Sequence, residues 1–337
     1  VNRATTSAAL AAILATAPLP SLAWGAAGHT LVSRAAAAAL PDTLPAFLRT
    51  PAAVDEIAAL GPELDRSKGA GKTHDADLDP GHYADIGDDG TIFGVALSAL
   101  PANRAAYDTA LRAAGQTQYR AGFLPYELID GWQQLAKDFA IWRVDRAGEA
   151  SATDATRARF AADRALRETL TLRDLGVWGH FVGDASQPLH CTVHFNGWGD
   201  YANPDGFTTS HSLHSQFEGA FVRAHATLAG VAAKMHPLQA SSEPIATIVG
   251  RYLTATSAQV VPLYRLEKAG AFASASGDAV DFVDSRLADG ASAFRDLIVD
   301  AWSASATMPV GYPNPVTPAE VESGAKPAPL ETVGGTD

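Results

Sequence analysis

Gly179-His180-Phe181-Val182-Gly183-Asp184-Ala185-Ser186-Gln187-Pro188-Leu189-His190 closes the longest periodic apolar stretch of this chain. Upstream of it, Leu170, Leu172, Leu175, Val177 and Trp178 recur at helical spacing, which predicts a helix over 155–184. Pro188 cannot continue that helix, so it stops shortly after Asp184. His180 and Asp184 stand four residues apart, hence about 40° apart around a helix axis and on one face. On a solvated surface such a pair is a helix stabiliser worth about a few tenths of a kcal/mol. At the end of an apolar helix it is buried, and a buried carboxylate–imidazole pair is costly unless something cationic compensates it. The same spacing recurs in His214-Ser215-Gln216-Phe217-Glu218. Two helices that each turn a His and a carboxylate inward are how helical bundles build oxygen/nitrogen metal sites.

Outward from this block, helical periodicity also covers Leu31–Leu40, Leu124–Trp142, Leu213–His225, Ile245–Leu263 and Ala279–Trp302. Alternating β-branched runs bounded by hairpin turns are nearly absent. The segments 69–81, 85–94 and 197–210 are dense in Gly, Asp, Asn and Pro and are expected to be loops. No repeat or composition shift divides the chain. The expected fold class is therefore all-α, a single large helical domain over residues 24–310. Residues 311–337, rich in Pro, Gly and acids and without periodicity, are expected to form a mobile tail.

Residues 1–23 carry one charge, Arg3, then an apolar run from Ala8 to Ala17, then small residues at Ser21 and Ala23. This pattern predicts a signal peptide cleaved after Ala23, which would make Trp24 the new amino terminus and the protein secreted or periplasmic. The chain has 337 residues, enough for a sizeable core. A net charge of −12, from 25 basic and 37 acidic residues, leaves no basic footprint for gripping a nucleic-acid backbone at long range. With Cys191 as the only cysteine, an intrachain disulfide and a multi-cysteine zinc site are excluded. Any metal must be held by His, Asp or Glu.

Four motifs occur in order: Trp24-Gly25-Ala26-Ala27-Gly28-His29, His82-Tyr83-Ala84-Asp85, the His180/Asp184/His190 block, and His214 with Glu218. Together they resemble the zinc-dependent single-strand-specific nucleases (the nuclease S-one/P-one family) and the bacterial zinc phospholipases C that share their superfamily. The resemblance runs from Trp24 to Phe221 and implies a mostly helical fold with three zinc ions in a cleft. It implies that one zinc is chelated by the amine and carbonyl of Trp24 with His29 and Asp184. A second would take His82, His180, an upstream Asp and a share of Asp184; a third would take His190, His214 and Glu218. For the upstream Asp the nearest match to the nuclease motif is Asp65, in Glu63-Leu64-Asp65-Arg66-Ser67-Lys68, although the Trp of that motif is missing; Asp75, Asp77 and Asp79 are rivals.

The chemistry such a site implies is attack of a zinc-activated water on a phosphodiester. Asp85 matches the family carboxylate that orients or deprotonates the water, with a plain turn residue as the alternative. Lys68 would meet the substrate phosphate as a point charge, with a solvated lysine as the alternative. His74, His194, His211, His225 and His236 fall outside the pattern and are read as non-ligands, and replacing His194 is expected to change little. The Trp24–His29 and His190–His214 intervals resemble the nucleases, whereas Glu218 resembles the phospholipases. The expected substrate is single-stranded DNA and RNA, cleaved to 5′-phosphate products; phosphatidylcholine-type lipids are the alternative. Phe195, Trp198, Tyr201 and Phe207 stand where they could stack a base or simply pack. A non-catalytic helical periplasmic binding protein is a third reading. No stable protein partner is implied, and a monomer is expected.

Overall fold

The structure, a computed structural model, describes residues 24–329; the expected signal peptide at 1–23 and the last eight residues lie outside the described residues. The chain runs through α1 (Gly25–Ala38), α2 (Pro51–Leu60), α3 (Lys72–Leu78), α4 (Arg104–Ala113), α5 (Gln118–Ala121), α6 (Leu124–Ser151) and α7 (Asp154–Asp184). It continues through α8 (Leu213–Ser215), α9 (Val222–His225), α10 (Leu228–Lys234), α11 (Ile245–Ser257), α12 (Val260–Lys268), α13 (Gly277–Ser305) and α14 (Pro318–Glu322). Among the described residues the only sheet is a hairpin, Thr91–Ile92 against Val95–Ala96, with Ile92 opposite Val95. Phe93 and Gly94 turn it with positive φ, the backbone that two-residue hairpin loops require. The all-α expectation holds, as one helical domain.

Local chemistry sets the helix ends. Thr50 and Asn103 accept from the backbone N–H groups of Ala53 and Ala106, and Pro51 and Pro125 fill first-turn positions that need no N–H. The long pair α6 and α7 forms an antiparallel hairpin at the centre, with α1, α2 and α13 packed around α7. The two axes approach closely because α6 carries Gly131 opposite Trp178: a Cβ there would lie 2.0 Å from the indole. One continuous core runs from Trp24 and Val32 on α1 through Leu175 and Val182 on α7 to Phe294 and Ile298 on α13.

Three expectations are corrected. The segment 69–81, expected as loop, contains α3. Leu213–His225, expected as one regular helix, widens into a π-helix over Gln216–Phe221. The stretch from Gly311, expected to be mobile, is packed as far as it is described. Val310 and Val316 pair their backbones, and a capping box between Thr317 and Glu320 starts α14. Val310, Val316 and Val321 then share a small core with Ala140, Ile141 and Val144 of α6. Arg143 fastens the segment: its guanidinium stacks on Trp302 at 3.5 Å and bonds Glu322 at 3.0 Å. Val310, Val316 and Val321 are apolar surface that no helical period reveals, and burying them on α6 offsets the ordering cost.

The α6–α7 interface also buries an acid pair. Burial, then the charge of Asp163, pushes Asp145 up to about 8, against the pull of Arg167 and Arg164. A carboxyl whose folded value lies above its unfolded value binds a proton more tightly when folded. Its contribution is complete below about 4 and is lost as the pH rises through about 8. Thermal melts are therefore expected to show stability falling over that window. Asp145→Asn should flatten the slope and raise the melting temperature at pH 8 by several degrees; identical pH profiles for the two proteins would remove Asp145 as the cause.

Candidate metal centre

The last turn of α7 delivers Asp184 into a shell of imidazoles, all buried. His180, one turn earlier on the same face, places Nε2 3.3 Å from Asp184 Oδ2. His82 follows α3 on a short turn and brings Nδ1 to 3.0 Å from the same oxygen. On the other oxygen, His29 of α1 approaches to 3.5 Å and His190 to 3.4 Å. His29 stacks on His180 at 3.8 Å, and a Cβ at Gly183 would crowd its ring at 3.0 Å, so that position needs a minimal side chain. Glu218, in the π-helix, completes the far side: its Oε2 is 2.8 Å from His214 Nε2 and 3.6 Å from His190 Nε2. π-helical turns of this kind recur at functional sites.

Trp24 and Asp65 bring in the more distant parts of the chain. The Trp24 indole, fully buried, donates to the Gly183 carbonyl at 2.9 Å and to Ser186 Oγ at 3.0 Å, pinning the start of α1 to the end of α7. Asp65 lies 3.7 Å from His180 Nε2, and Lys68 reaches it at 2.6 Å. Of the rivals, Asp75 is spent on the Gly69 N–H and Asp79 stands on the cleft wall. Among the described residues, three groups bring ligand atoms within 4.8 Å of one another: His29/Asp65/His180, His82/His180/Asp184 and His190/His214/Glu218. The third is the set expected from the sequence. The first two divide the remaining residues differently, with Asp65 beside His29.

Second contacts fix the rings. The His180 Nδ1–H donates to the Gly61 carbonyl at 2.8 Å and His190 Nδ1–H to the His82 carbonyl at 2.6 Å, which leaves each Nε2 lone pair facing the cluster. Gln187 donates to Glu218 at 3.0 Å while its own carbonyl accepts from Leu189 N–H. Burial pushes His29 well down and His82 down to about 3, keeping both imidazoles neutral. Burial alone would raise Asp184, but the charges of His180 and His190 and hydrogen bonds from His180 and His82 hold it well below the usual carboxylate range. Glu218, likewise opposed by burial, is held at about 2 by His214 and His190. Neutral His29 and His82 beside ionised Asp184 and Glu218 are in the protonation state that metal ligands need, whereas Asp184 and Glu218 push His190 up against its burial. Both ring nitrogens of His29 and Oδ1 of Asp184 are buried without a hydrogen bond, as expected where a cation is to complete the set. This all-nitrogen and oxygen donor set fits zinc.

Three members of the cluster, His82, His190 and His214, line a cleft of about 610 Å³. Asp85, Arg120, Tyr83, Lys68, Phe195 and Asn196 stand on its walls. Burial pushes Asp85 up to about 7, with Arg120 pulling the other way. Lys68 is not a solvated lysine: it is mostly buried, and its charge is engaged by Asp65. Of the four loop aromatics, Phe195 and Tyr201 are about half exposed, whereas Trp198 and Phe207 pack against each other and Tyr264. Arg120, Asn196 and Gln187 were not singled out by the sequence. Nothing local marks them, because each reaches the site from a separate segment, Arg120 from α5 and the other two from turns.

No family model matches the chain, and no curated protein matches it either. Among solved structures it is similar to the alpha-toxin of Clostridium perfringens from avian strain SWCP, with 14% identity and a TM-score of 0.39, over 86% of this chain and 68% of the toxin. At that distance the likeness carries no argument about activity. Among the described residues no helix is long and apolar enough to cross a membrane.

If the three groups hold metal in the folded state, binding is linked to folding. Removal of metal by a chelator is expected to lower the melting temperature by several degrees, and zinc to restore it, with metal content followed by atomic emission. An unchanged melt after verified removal would show that the cluster is stable without ions.

Proposed function

We propose that this protein is a secreted zinc-dependent phosphoric-ester hydrolase that cleaves single-stranded DNA and RNA. The observation that carries the reading is the convergence of His29, Asp65, His82, His180, Asp184, His190, His214 and Glu218, from separate parts of the chain, into one cluster that reaches the cleft at His82, His190 and His214. Bound zinc ions, three on the family resemblance, supply acid strength to a water and positive charge to the phosphoryl oxygens. The chain supplies the rest. Asp85, pushed up to about 7, is half ionised near neutral pH and so is suited to take a proton from the attacking water. Arg120 on the same wall offers a planar donor fork to a phosphate oxygen. Phe195, half exposed at the mouth, offers a face on which an unpaired base can stack. A paired base would first have to unstack, at a cost of about a few kcal/mol.

Trp24 fits the same reading. Its side chain fastens its backbone to the last turn of α7, and Gly25 lies against the Glu218 carbonyl. Cleavage after Ala23 would free an amine at that place. A protein left with one extra residue before Trp24 is expected to hold less zinc and to lose most activity.

Zinc-loaded protein beginning at Trp24 should hydrolyse single-stranded DNA and RNA to 5′-phosphates and leave phosphatidylcholine vesicles intact. Asp85→Asn should lower kcat by about 10²–10⁴-fold with zinc content unchanged, and Phe195→Ala should chiefly raise KM. Cleavage of phosphatidylcholine with no action on nucleic acid would replace this reading by the phospholipase one, to which Glu218 points. Zinc bound with neither substrate cleaved would favour a binding protein.

A further inference from the structure

His194 belongs to none of the metal groups, yet its buried ring is bonded on both sides. Nδ1 lies 2.9 Å from the Trp198 carbonyl and Nε2 lies 2.9 Å from Asp88 Oδ1. A carbonyl and a carboxylate only accept, so each nitrogen must carry a proton for both bonds to exist. Such a ring is an imidazolium. Its other contacts suit a cation: it lies flat on Trp198, with ring centres 3.8 Å apart and planes 12° from parallel, a geometry in which charge over an aromatic face is favourable. Tyr201 meets the ring edge-on at 4.8 Å, and the Tyr264 hydroxyl of α12 donates to the His194 carbonyl at 2.6 Å. Behind the ring, a cavity of about 290 Å³ is lined from α11 and α12 by Thr254, Ser257, Val260 and Val261, none charged. Among the described residues lining that cavity, Asp88 is the one acid.

The Nε2 bond joins two segments that line the cleft, and the Nδ1 bond closes the loop of one of them. Asp88 is three residues beyond Asp85, on the loop that the Gly87–Thr91 backbone bond closes. Phe195 and Asn196 follow His194 directly and also line the cleft, on a segment that the Ala84–His190 and Val193–Ile86 backbone bonds set beside the Asp85 segment. Asn196 keeps a buried side-chain oxygen without a partner, so its wall is built to receive a donor. A neutral imidazole could keep the Asp88 bond, which crosses between the segments, or the Trp198 bond, which closes its own loop, but not both.

We propose that His194 is a positioning residue whose doubly protonated ring clamps the Asp85–Asp88 loop to the Phe195–Asn196 wall and so sets the width of the cleft. The consequence for turnover rests on the hydrolase reading; the clamp itself does not. It replaces the expectation that His194 is dispensable.

The test uses the whole zinc-loaded protein, its Asp88→Asn variant, in which an exposed acid is replaced by its isostere, and His194→Gln. ¹⁵N NMR of the wild-type ring near neutral pH should show both nitrogens protonated. In Asp88→Asn the ring should become singly protonated, and the amide can meet it only by a neutral hydrogen bond, roughly half as strong as the charge-assisted one it replaces. Both variants should keep their zinc and show faster amide exchange at 86–90 and 195–201. On a single-stranded oligonucleotide they should raise KM by roughly tenfold, a loosened fit, with kcat nearly unchanged. A wild-type ring with one bare nitrogen overturns the proposal, as do wild-type exchange and KM in Asp88→Asn. If the wild-type protein cleaves no phosphodiester, the functional reading fails while the NMR and exchange results still decide the clamp.

Discussion

Asp184 is a fully buried carboxylate at the last turn of the longest helix, and four imidazoles from α1, the turn after α3, α7 and the turn after α7 close on its two oxygens. A charge taken that far out of water is costly unless it is matched on all sides. The rest of the molecule is arranged to supply the match. α1 is tied to α7 by the Trp24 indole, α2 offers its terminal Gly61 carbonyl to His180, and the π-helix turns Glu218 toward His190 and His214. Apart from the local His214–Glu218 pair, these contacts join separate elements, so they form only when the helices dock.

The scaffold gives that constellation its rigidity. The α6–α7 hairpin, closed by small residues such as Gly131 opposite Trp178, holds the axis of α7 in place, and α13 backs it with Phe294 and Ile298. Ligands on helices and on tightly bonded turns keep their rings within narrow limits, which matters because a donor set displaced by a fraction of an ångström loses affinity. The other groups that line the cleft come from separate segments: Asp85 between the buried Ala84 and Ile86, Arg120 from α5 beside the buried Ala121, and Phe195 and Asn196 from the turn after His194.

Much of the centre was legible in the sequence because its ligands come in local pairs. His180 with Asp184 and His214 with Glu218 share helix faces by spacing alone, and both pairs are found together in the structure. Asp65 was harder, since several acids in 65–79 carry equal local claims. Only the docking of that segment against α7 selects Asp65, at 3.7 Å from His180, over Asp75, which is occupied by Gly69, and Asp79, which faces the cleft. Lys68 was read as a free point charge, and the same docking turned it onto Asp65. The packed 311–329 segment escaped notice because Val316 and Val321, with Val310 just before them, have no helical period; their partner is the flank of α6.

The sequence by itself determined the class of fold, the extent of the long helices and the types of ligand, because 3.6-residue periodicity, proline stops and the scarcity of cysteine act over a few turns of chain. Tertiary structure alone decided which acid joins the cluster, how the rings are oriented, which aromatics stay exposed and that His194 bridges two loops. Those outcomes depend on burial and on partners a hundred residues away, such as Asp184 for His82 and Asp88 for His194. A buried charge is stable only where the completed fold surrounds it with complementary groups, and no local stretch of sequence contains that surrounding.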